Sequence, residues 1–332
     1  MANSTETRSN RLKPGATIAV FGASGFLGRH IVQNLAARGY RVRAAVRRPN
    51  EAMFLRPMGA VGQIEPFQAN VRDDASVKAA IRDADAVVNL VGILAEGGKQ
   101  TFQAVQAEGA ARVARMAKAA GISVFVQMSA LGADAESTSA YASTKAAGEA
   151  AVRAELPDAV ILRPSIVFGS GDSFFNRFAA MTLLSPALPL IGGGKTKFQP
   201  VYVKDVAEAV LRVLERPECA GKTYELGGPE VRSFKELMQL MLREIERKRL
   251  LVPLPFALAS FIAWFAQLLP GAPLTVDQVR LLRHDNVVSE EARNEGRTLE
   301  GLGIKPVLAE AILETYLFRF NRQGQYAQYR TS

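Results

Sequence analysis

Cysteine is nearly missing from this chain of 332 residues, with Cys219 as its single example. One thiol excludes an internal disulfide framework and fits a reducing compartment. Histidine is almost as scarce: His30 and His284 are the two present, too few for a His-rich metal site, and no metal is expected. No apolar run is long enough to cross a bilayer. The longest proline-free apolar stretch, Phe256 to Leu269, would span about 21 Å as a helix. A hydrocarbon core is about 30 Å thick. The N-terminal MANSTETRSNRLKPG holds Arg8, Arg11 and Lys13 but no apolar stretch, so it is no secretory signal. It is expected to be a flexible leader over residues 1–15, and its shortness favours a bacterial chain over an imported mitochondrial one.

Against these absences stands an ordinary globular composition, 48% hydrophobic and 22% charged, which excludes collagenous and wholly disordered classes. The length suits two domains, or one α/β domain with a smaller lobe. Lys and Arg number 41 against 32 Asp and Glu, a net charge of +9. The basic residues are not interleaved with aromatics as a single-strand nucleic-acid surface requires, so no nucleic-acid partner is expected.

The first half alternates strand-like and helix-like patterns. Strands are predicted at Thr17–Phe21, Arg41–Val46, Ala86–Val91, Val124–Met128 and Val160–Leu162. Helices are predicted at Arg29–Arg38, Ser76–Arg82, Thr101–Ala120 and Tyr141–Glu155, with Gly121 closing the third. This alternation predicts a Rossmann-type, doubly wound parallel sheet of class α/β. After Arg163-Pro164 come glycine-rich loops, then a strand at Val201–Val203 and a helix at Val206–Arg216. The expected nucleotide-binding domain is therefore 16–168 plus about 197–228. A smaller C-terminal lobe takes about 169–196 plus 229–332.

Phe21-Gly22-Ala-Ser-Gly25-Phe-Leu-Gly28 is a GxxGxxG loop between the first strand and the first helix. Gly22 permits the tight turn, Gly25 lets backbone N–H groups approach a pyrophosphate, and Gly28 lets helix and strand pack closely. The second strand ends in Arg47-Arg48, with no acid before Glu51. An acid there would hold a ribose 2′-hydroxyl, whereas arginine suits a 2′-phosphate, so the expected cofactor is NADP(H).

Tyr141-Ala-Ser-Thr-Lys145 has a YxxxK spacing, which puts phenol and ammonium on one helix face. There the ammonium would lower the phenol pKa and touch the nicotinamide ribose, leaving Tyr141 able to shuttle a proton. Ser129, ending a strand twelve residues earlier, suits a substrate oxygen. These three are the catalytic candidates, if the chain is active.

The glycine loop, Asn89-Leu-Val-Gly92, Ser129, Tyr141, Lys145 and Arg163-Pro164-Ser165 together resemble the short-chain dehydrogenase/reductases of the extended or atypical kind. The resemblance implies a Rossmann fold. It adds Ser24, Phe26, Leu27, Val91, Gly92 and Pro164 as cofactor contacts beside the glycines, Arg47, Arg48, Tyr141 and Lys145. Two departures speak against the nucleotide-sugar substrates of extended members. The long helix reads Val105-Gln106-Ala-Glu-Gly109-Ala110 in place of Val-Asn-x-x-Gly-Thr, and Tyr202 stands where a histidine is usual.

Further runs are more specific: Ser129–Asp134, Phe174–Ala179, Ile191–Gly194, Phe198–Val203, Tyr224–Pro229 and Asp285–Val288. Together they resemble the NADPH-binding accessory subunits of respiratory complex I. That likeness implies a tightly held NADPH with a structural role, other complex I subunits as partners, and a peripheral place on the membrane. For a bacterial chain the place is the cytoplasmic face of the inner membrane; in a eukaryote it is the matrix side. The alternative is a free NADPH-dependent reductase of a carbonyl or quinone-like substrate, working through Tyr141 and Lys145.

In the predicted helix Phe256–Leu269, the residues Leu258, Phe261, Ile262, Phe265, Leu268 and Leu269 share one side, while Ala259, Ser260, Ala263 and Gln267 share the other. Glu246-Arg-Lys-Arg249 lies just upstream and Trp264 on the flank. The 247–269 region suits anionic lipid headgroups or a membrane partner, and equally a helix buried in its own lobe.

Overall fold

The structure, a computed structural model, describes residues 12–267 and 274–321. Most of the leader expected over 1–15, and Leu268 and Leu269 of the predicted apolar face, lie outside the described residues. The chain opens with β1 (Thr17–Phe21), α1 (Phe26–Ala37), β2 (Arg41–Val46), β3 (Ile64–Gln68), α2 (Asp74–Ile81) and β4 (Ala86–Asn89). It continues with α3 (Glu108–Ala119), β5 (Val124–Met128), α4 (Ala140–Glu155), β6 (Val160–Pro164) and β7 (Val167–Phe168). Next come α5 (Phe175–Leu184), β8 (Ala187–Ile191), β9 (Lys197–Phe198), β10 (Val201–Tyr202), α6 (Val203–Glu215) and β11 (Thr223–Leu226). The last are β12 (Arg232–Ser233), α7 (Phe234–Glu244), β13 (Leu250–Leu254), α8 (Phe256–Ala266), α9 (Val276–Leu281), α10 (Glu290–Asn294) and α11 (Glu310–Leu317).

Seven strands form one sheet in the order β11-β6-β5-β4-β1-β2-β3. The pairs β1–β2, β1–β4, β2–β3, β4–β5 and β5–β6 are all parallel. Read from β3, the order 3-2-1-4-5-6 is that of a doubly wound nucleotide fold, whose direction of winding reverses between β1 and β4. Ile18, Ala19, Val20 and Phe21 of β1 are all buried, as a strand covered on both faces requires.

Among the departures from the sequence expectation, three concern the nucleotide-binding half. The edge strand β3 was not foreseen, because Pro66 interrupts its apolar pattern; at an edge the missing N–H costs no ladder bond. The helix predicted as continuous from Thr101 is α3 preceded by a wider π-turn over Gln103–Ala107. There Gly148 of α4 lies so near that an added Cβ would meet the Gln106 carbonyl oxygen at 2.4 Å. Helix α1 starts at Phe26 rather than Arg29, since Gly25 is its N-cap.

The chain forms two compact units. One comprises residues up to Ser129, Ala146–Leu162 and Ala207–Tyr224. Phe21, Val77, Ile81, Val87, Val113, Phe125 and Val152 contribute to its core. The other comprises Ala130–Lys145, Arg163–Val206 and everything from Glu225. Its core holds Phe168, Phe175, Phe198, Phe234, Leu237, Met241 and Leu313. Within it β8 pairs with β13, and α8 lays Ala259 and Ala263 against Ile191 and Val279. The large side chains of α8 face outward: Leu258, Phe261, Ile262, Trp264 and Phe265 are all exposed. The small-residue face thus packs into the lobe, as the buried-helix alternative required, while the large-residue face stays open among the described residues. No described helix is long and apolar enough to cross a membrane.

Candidate dinucleotide-binding site

Gly22 ends β1 with φ +81°, a left-handed conformation that glycine adopts without strain. Gly25 caps α1 with no side-chain hydrogen bond, so the first turn of α1 keeps unpaired N–H donors at its positive end. Gly28 sits where an added Cβ would lie 2.3 Å from the Gly22 carbonyl oxygen and 2.6 Å from that of Ala23. Only glycine lets helix and strand approach this closely. The three glycines and the open helix end form a cradle that fits a pyrophosphate.

A cleft of about 330 Å³ opens over this cradle, inside the usual range for small-molecule sites of about 300–1,000 Å³. It is lined by Gly22, Ser24, Gly25, Phe26, Leu27, Gly28, Arg47, Val91 and Gly92, nine of the residues expected from the sequence. Arg48 is not among its walls. The Arg48 guanidinium lies in solvent, 2.9 Å from the Glu51 carboxylate. Arg72 and Gln100 do line the cleft and were not foreseen. Arg72 follows β3, a strand that the sequence pattern left unassigned, and Gln100 lies in the loop after β4. The described wall carries two arginines and no carboxylate. A second groove, lined by Gly15, Thr17, Arg41 and Glu65, lies at the amino ends of β1, β2 and β3, the opposite end from where open α/β sheets take ligands.

Ser129 follows β5, its N–H donating to the Leu162 carbonyl at 2.7 Å. Its hydroxyl is buried and has no hydrogen-bond partner among the described residues. An orphaned hydroxyl of this kind is satisfied by a ligand or a water.

Tyr141 and Lys145 lie one turn apart on α4, in the other unit, and Lys145 is buried. The start of α4 is held by Asp277 of α9. Its carboxylate accepts from the Ser139 hydroxyl at 2.9 Å, the Ala140 N–H at 2.7 Å and the Tyr141 N–H at 3.2 Å. The sequence suggested a phenol made more acidic by the neighbouring ammonium. The structure has the reverse: burial, reinforced by the Asp277 charge, pushes the Tyr141 phenol up to about 12. Pro164 ends β6, and its carbonyl accepts from the Leu131 N–H at 2.9 Å. Beside it the Ser165 hydroxyl donates to the Asn286 side chain at 2.7 Å, whose amide donates to the Leu131 carbonyl at 3.1 Å. Runs of sequence far apart in the chain meet here. Among the described residues no cluster of His, Cys, Asp and Glu could hold a metal.

Comparison with known proteins agrees with this geometry. Residues 18–227 match the NAD dependent epimerase/dehydratase family. A mitochondrial NADH dehydrogenase [ubiquinone] 1 alpha subcomplex subunit 9 of Arabidopsis thaliana is 39% identical over 290 residues, 84% of this chain and 72% of the relative. A ceramide reductase of Caulobacter vibrioides is 32% identical over 200 residues, 60% of this chain and 61% of that protein. Among solved structures, a nucleoside-diphosphate-sugar epimerase of Staphylococcus aureus matches with a TM-score of 0.70 at 14% identity, covering 91% of this chain and 99% of its own, which speaks to fold alone. The chain belongs to the NAD dependent epimerase/dehydratase family and, within it, to the family of the complex I alpha subcomplex subunit 9.

Proposed function

We propose that this protein is an NADP(H)-holding accessory subunit of respiratory NADH:quinone oxidoreductase, bound peripherally on the cytoplasmic face of a bacterial inner membrane. The observation that carries the reading is the extent of the likeness to complex I subunits. It covers most of the chain, beyond the stretch common to the wider dehydratase family and into the second unit. The outward apolar face of α8 supports it, since a subunit needs a surface to bury against its neighbours, and a solitary enzyme gains nothing from exposing Phe261 and Trp264.

The chemistry of the cleft fits the cofactor. Gly22, Gly25 and Gly28 would take the pyrophosphate, with Ser24, Phe26, Leu27, Val91 and Gly92 around it, and Arg47 the 2′-phosphate. From the resemblance to short-chain dehydrogenases, Tyr141 and Lys145 would hold the nicotinamide ribose and Pro164 would be a further cofactor contact. The nicotinamide, when bound, supplies a hydride. The chain's own proposed contribution is holding, and a Tyr141 phenol that stays protonated can donate its hydrogen bond to the ribose. Bound nucleotide stabilises the fold by about 4 kcal/mol at a thousandfold excess over its dissociation constant. The test is Tyr141→Phe introduced into the native locus. Unchanged assembly and activity with NADPH still bound support a holding role, whereas loss of activity with the complex assembled and NADPH still bound contradicts it.

A second reading, a free reductase, is favoured by the likeness to a ceramide reductase and by the unpaired Ser129 hydroxyl, which suits a substrate carbonyl. Transfer of label from deuterated NADPH to a long-chain ketone, abolished in Tyr141→Phe, would decide for it.

A further inference from the structure

One short stretch late in the chain grips three others that lie far from it in sequence. It runs from Asp277 in α9 to Asn286, and all four stretches belong to the same unit. Asn286 holds the chain that follows β5 and β6. Its side-chain amide donates to the Leu131 carbonyl at 3.1 Å, and its side-chain oxygen accepts from the Ser165 hydroxyl at 2.7 Å. The Leu131 N–H in turn donates to the Pro164 carbonyl at 2.9 Å, closing a ring of bonds around the two loops. The main chain at Asn286 is itself fixed. Its N–H donates to the Lys197 carbonyl at 2.8 Å, and its carbonyl accepts from the Gln199 N–H at 3.1 Å. Asp277 and Arg280 hold the far end of the loop between β5 and α4. The Asp277 carboxylate takes the Ser139, Ala140 and Tyr141 donors, and the Arg280 guanidinium donates to the Thr138 carbonyl at 3.1 Å.

The loop from Leu131 to Ala140 is thus tied to the Asp277–Asn286 stretch at both of its ends. Between the ties it bonds to itself: Asp134 accepts from the Glu136 N–H at 3.0 Å, and the Ser137 hydroxyl from the Ser139 N–H at 3.2 Å. The tied segments carry the residues assigned to the nicotinamide side of the cofactor. Tyr141 begins α4 at one tie, with Lys145 a turn later, and Pro164 sits inside the ring made by the other. The glycine cradle and Arg47 belong to the other unit and make none of these bonds. The run Asp285–Val288, singled out in the sequence, thereby acquires a task.

We propose that Asp277–Asn286 is a strap that positions the nicotinamide-side residues, with Asn286 as the positioning residue that ties the two loops together. Asn286 acts through Leu131, Pro164 and Ser165. The inference rests on the NADP(H) reading and adds a division of labour to it. The adenine half binds independently of the strap, and the nicotinamide half binds at full strength only while the strap holds. The chemistry of Asn286 is specific, because a carboxamide offers a donor to the Leu131 carbonyl and an acceptor to the Ser165 hydroxyl at once. An ionised aspartate of the same shape has acceptors only, so it sets a negative charge against the Leu131 carbonyl and releases that tie. A loop that must be ordered when its ligand arrives costs affinity.

The experiment is calorimetric titration of the full-length chain, freed of nucleotide, with NADP+ and with adenosine 2′,5′-bisphosphate, which carries the adenine half alone. Asn286→Asp should weaken NADP+ binding about tenfold and leave the bisphosphate unchanged. Protonation of the new carboxyl restores a donor, so the deficit against the wild type should shrink as the pH is lowered from about 8 to about 5. Arg280→Gln, at an exposed side chain, should show the same split at about threefold, and it decides alone should Asn286→Asp fail to fold. Arg283→Gln, on the same stretch but lying over the Phe256 ring at 5.1 Å, should bind both ligands as the wild type does. Equal weakening of both ligands in Asn286→Asp and Arg280→Gln makes the strap merely structural and overturns the proposal. So does wild-type affinity for NADP+ in both variants. A wild type that binds neither ligand overturns the NADP(H) reading itself, and the strap's role with it.

Discussion

Asp277 is the side chain whose removal reports most directly on how α4 presents Tyr141. Its carboxylate satisfies two of the four N–H groups that a helix start leaves unpaired, and it also fixes the Ser139 hydroxyl. An N-cap oxygen contributes about 0.5–2 kcal/mol, and a charged acceptor makes each bond roughly twice as strong as a neutral one. Asp277→Ala should therefore destabilise the chain by about 2–3 kcal/mol, lowering its melting transition by about 4–8 °C in calorimetry. Asp277→Asn keeps one acceptor oxygen and should lose about half of that. The same charge helps to keep the phenol protonated, after burial as the larger cause. The Tyr141 phenol should consequently titrate below about 12 in Asp277→Asn while remaining above an unperturbed tyrosine. The signal is isolated by subtracting the ultraviolet absorbance of the Tyr141→Phe counterpart. The pH dependence follows in sign. Unfolded, the phenol ionises near pH 10 and the folded chain resists ionisation, so its stability is full below pH 10 and falls between there and about 12. An Asp277→Ala variant with unchanged melting and an unmoved Tyr141 titration would refute the assignment of Asp277 to the helix start.

Gly28→Ala puts a methyl group 2.3 Å from a main-chain oxygen that cannot swing away. It should cost about 1–3 kcal/mol in thermal unfolding and abolish nucleotide binding in a titration. Phe261→Asp alters a side chain that is 63% exposed and contacts chiefly Phe265. The purified chain should keep its stability within about 0.5 kcal/mol, yet it should no longer co-purify with its membrane complex. Cys219 is buried, receives the Tyr224 hydroxyl at 3.2 Å, and has its thiol pushed up by burial. Its thiolate is scarce at neutral pH, so iodoacetamide should label the chain only after denaturation, as read by mass.

The parts of the fold that were legible in the sequence are those decided locally. Strands β1, β2 and β5 begin and end where their apolar runs do, because each lies inside a parallel sheet and is stopped by a glycine, an arginine or a serine. The glycine loop was readable for a similar reason: its three glycines answer to steric demands within a single strand–turn–helix. What escaped was decided by contacts distant in sequence. Edge strand β3 pairs only with β2, so Pro66 and Glu65 are tolerated and its pattern is erased. Arg72 follows that unread strand, and its place in the cleft depends on the Lys99 carbonyl 27 residues away. Asp277 acts on residues 136 to 138 positions earlier, a relation no local spacing encodes. The orientation of α8 was equally open. Its small and large faces were plain in the sequence, but only Ile191 and Val279 determine that Ala259 and Ala263 turn inward and Phe261 outward.

The most direct measurement is extraction of native membranes in mild detergent, with the chain followed by mass spectrometry through size exclusion. The expected result is co-elution with NADH:quinone oxidoreductase activity, with NADPH released from the pooled complex on denaturation. Elution as a small species separate from that activity, carrying no nucleotide, would contradict the proposal of a cofactor-holding subunit.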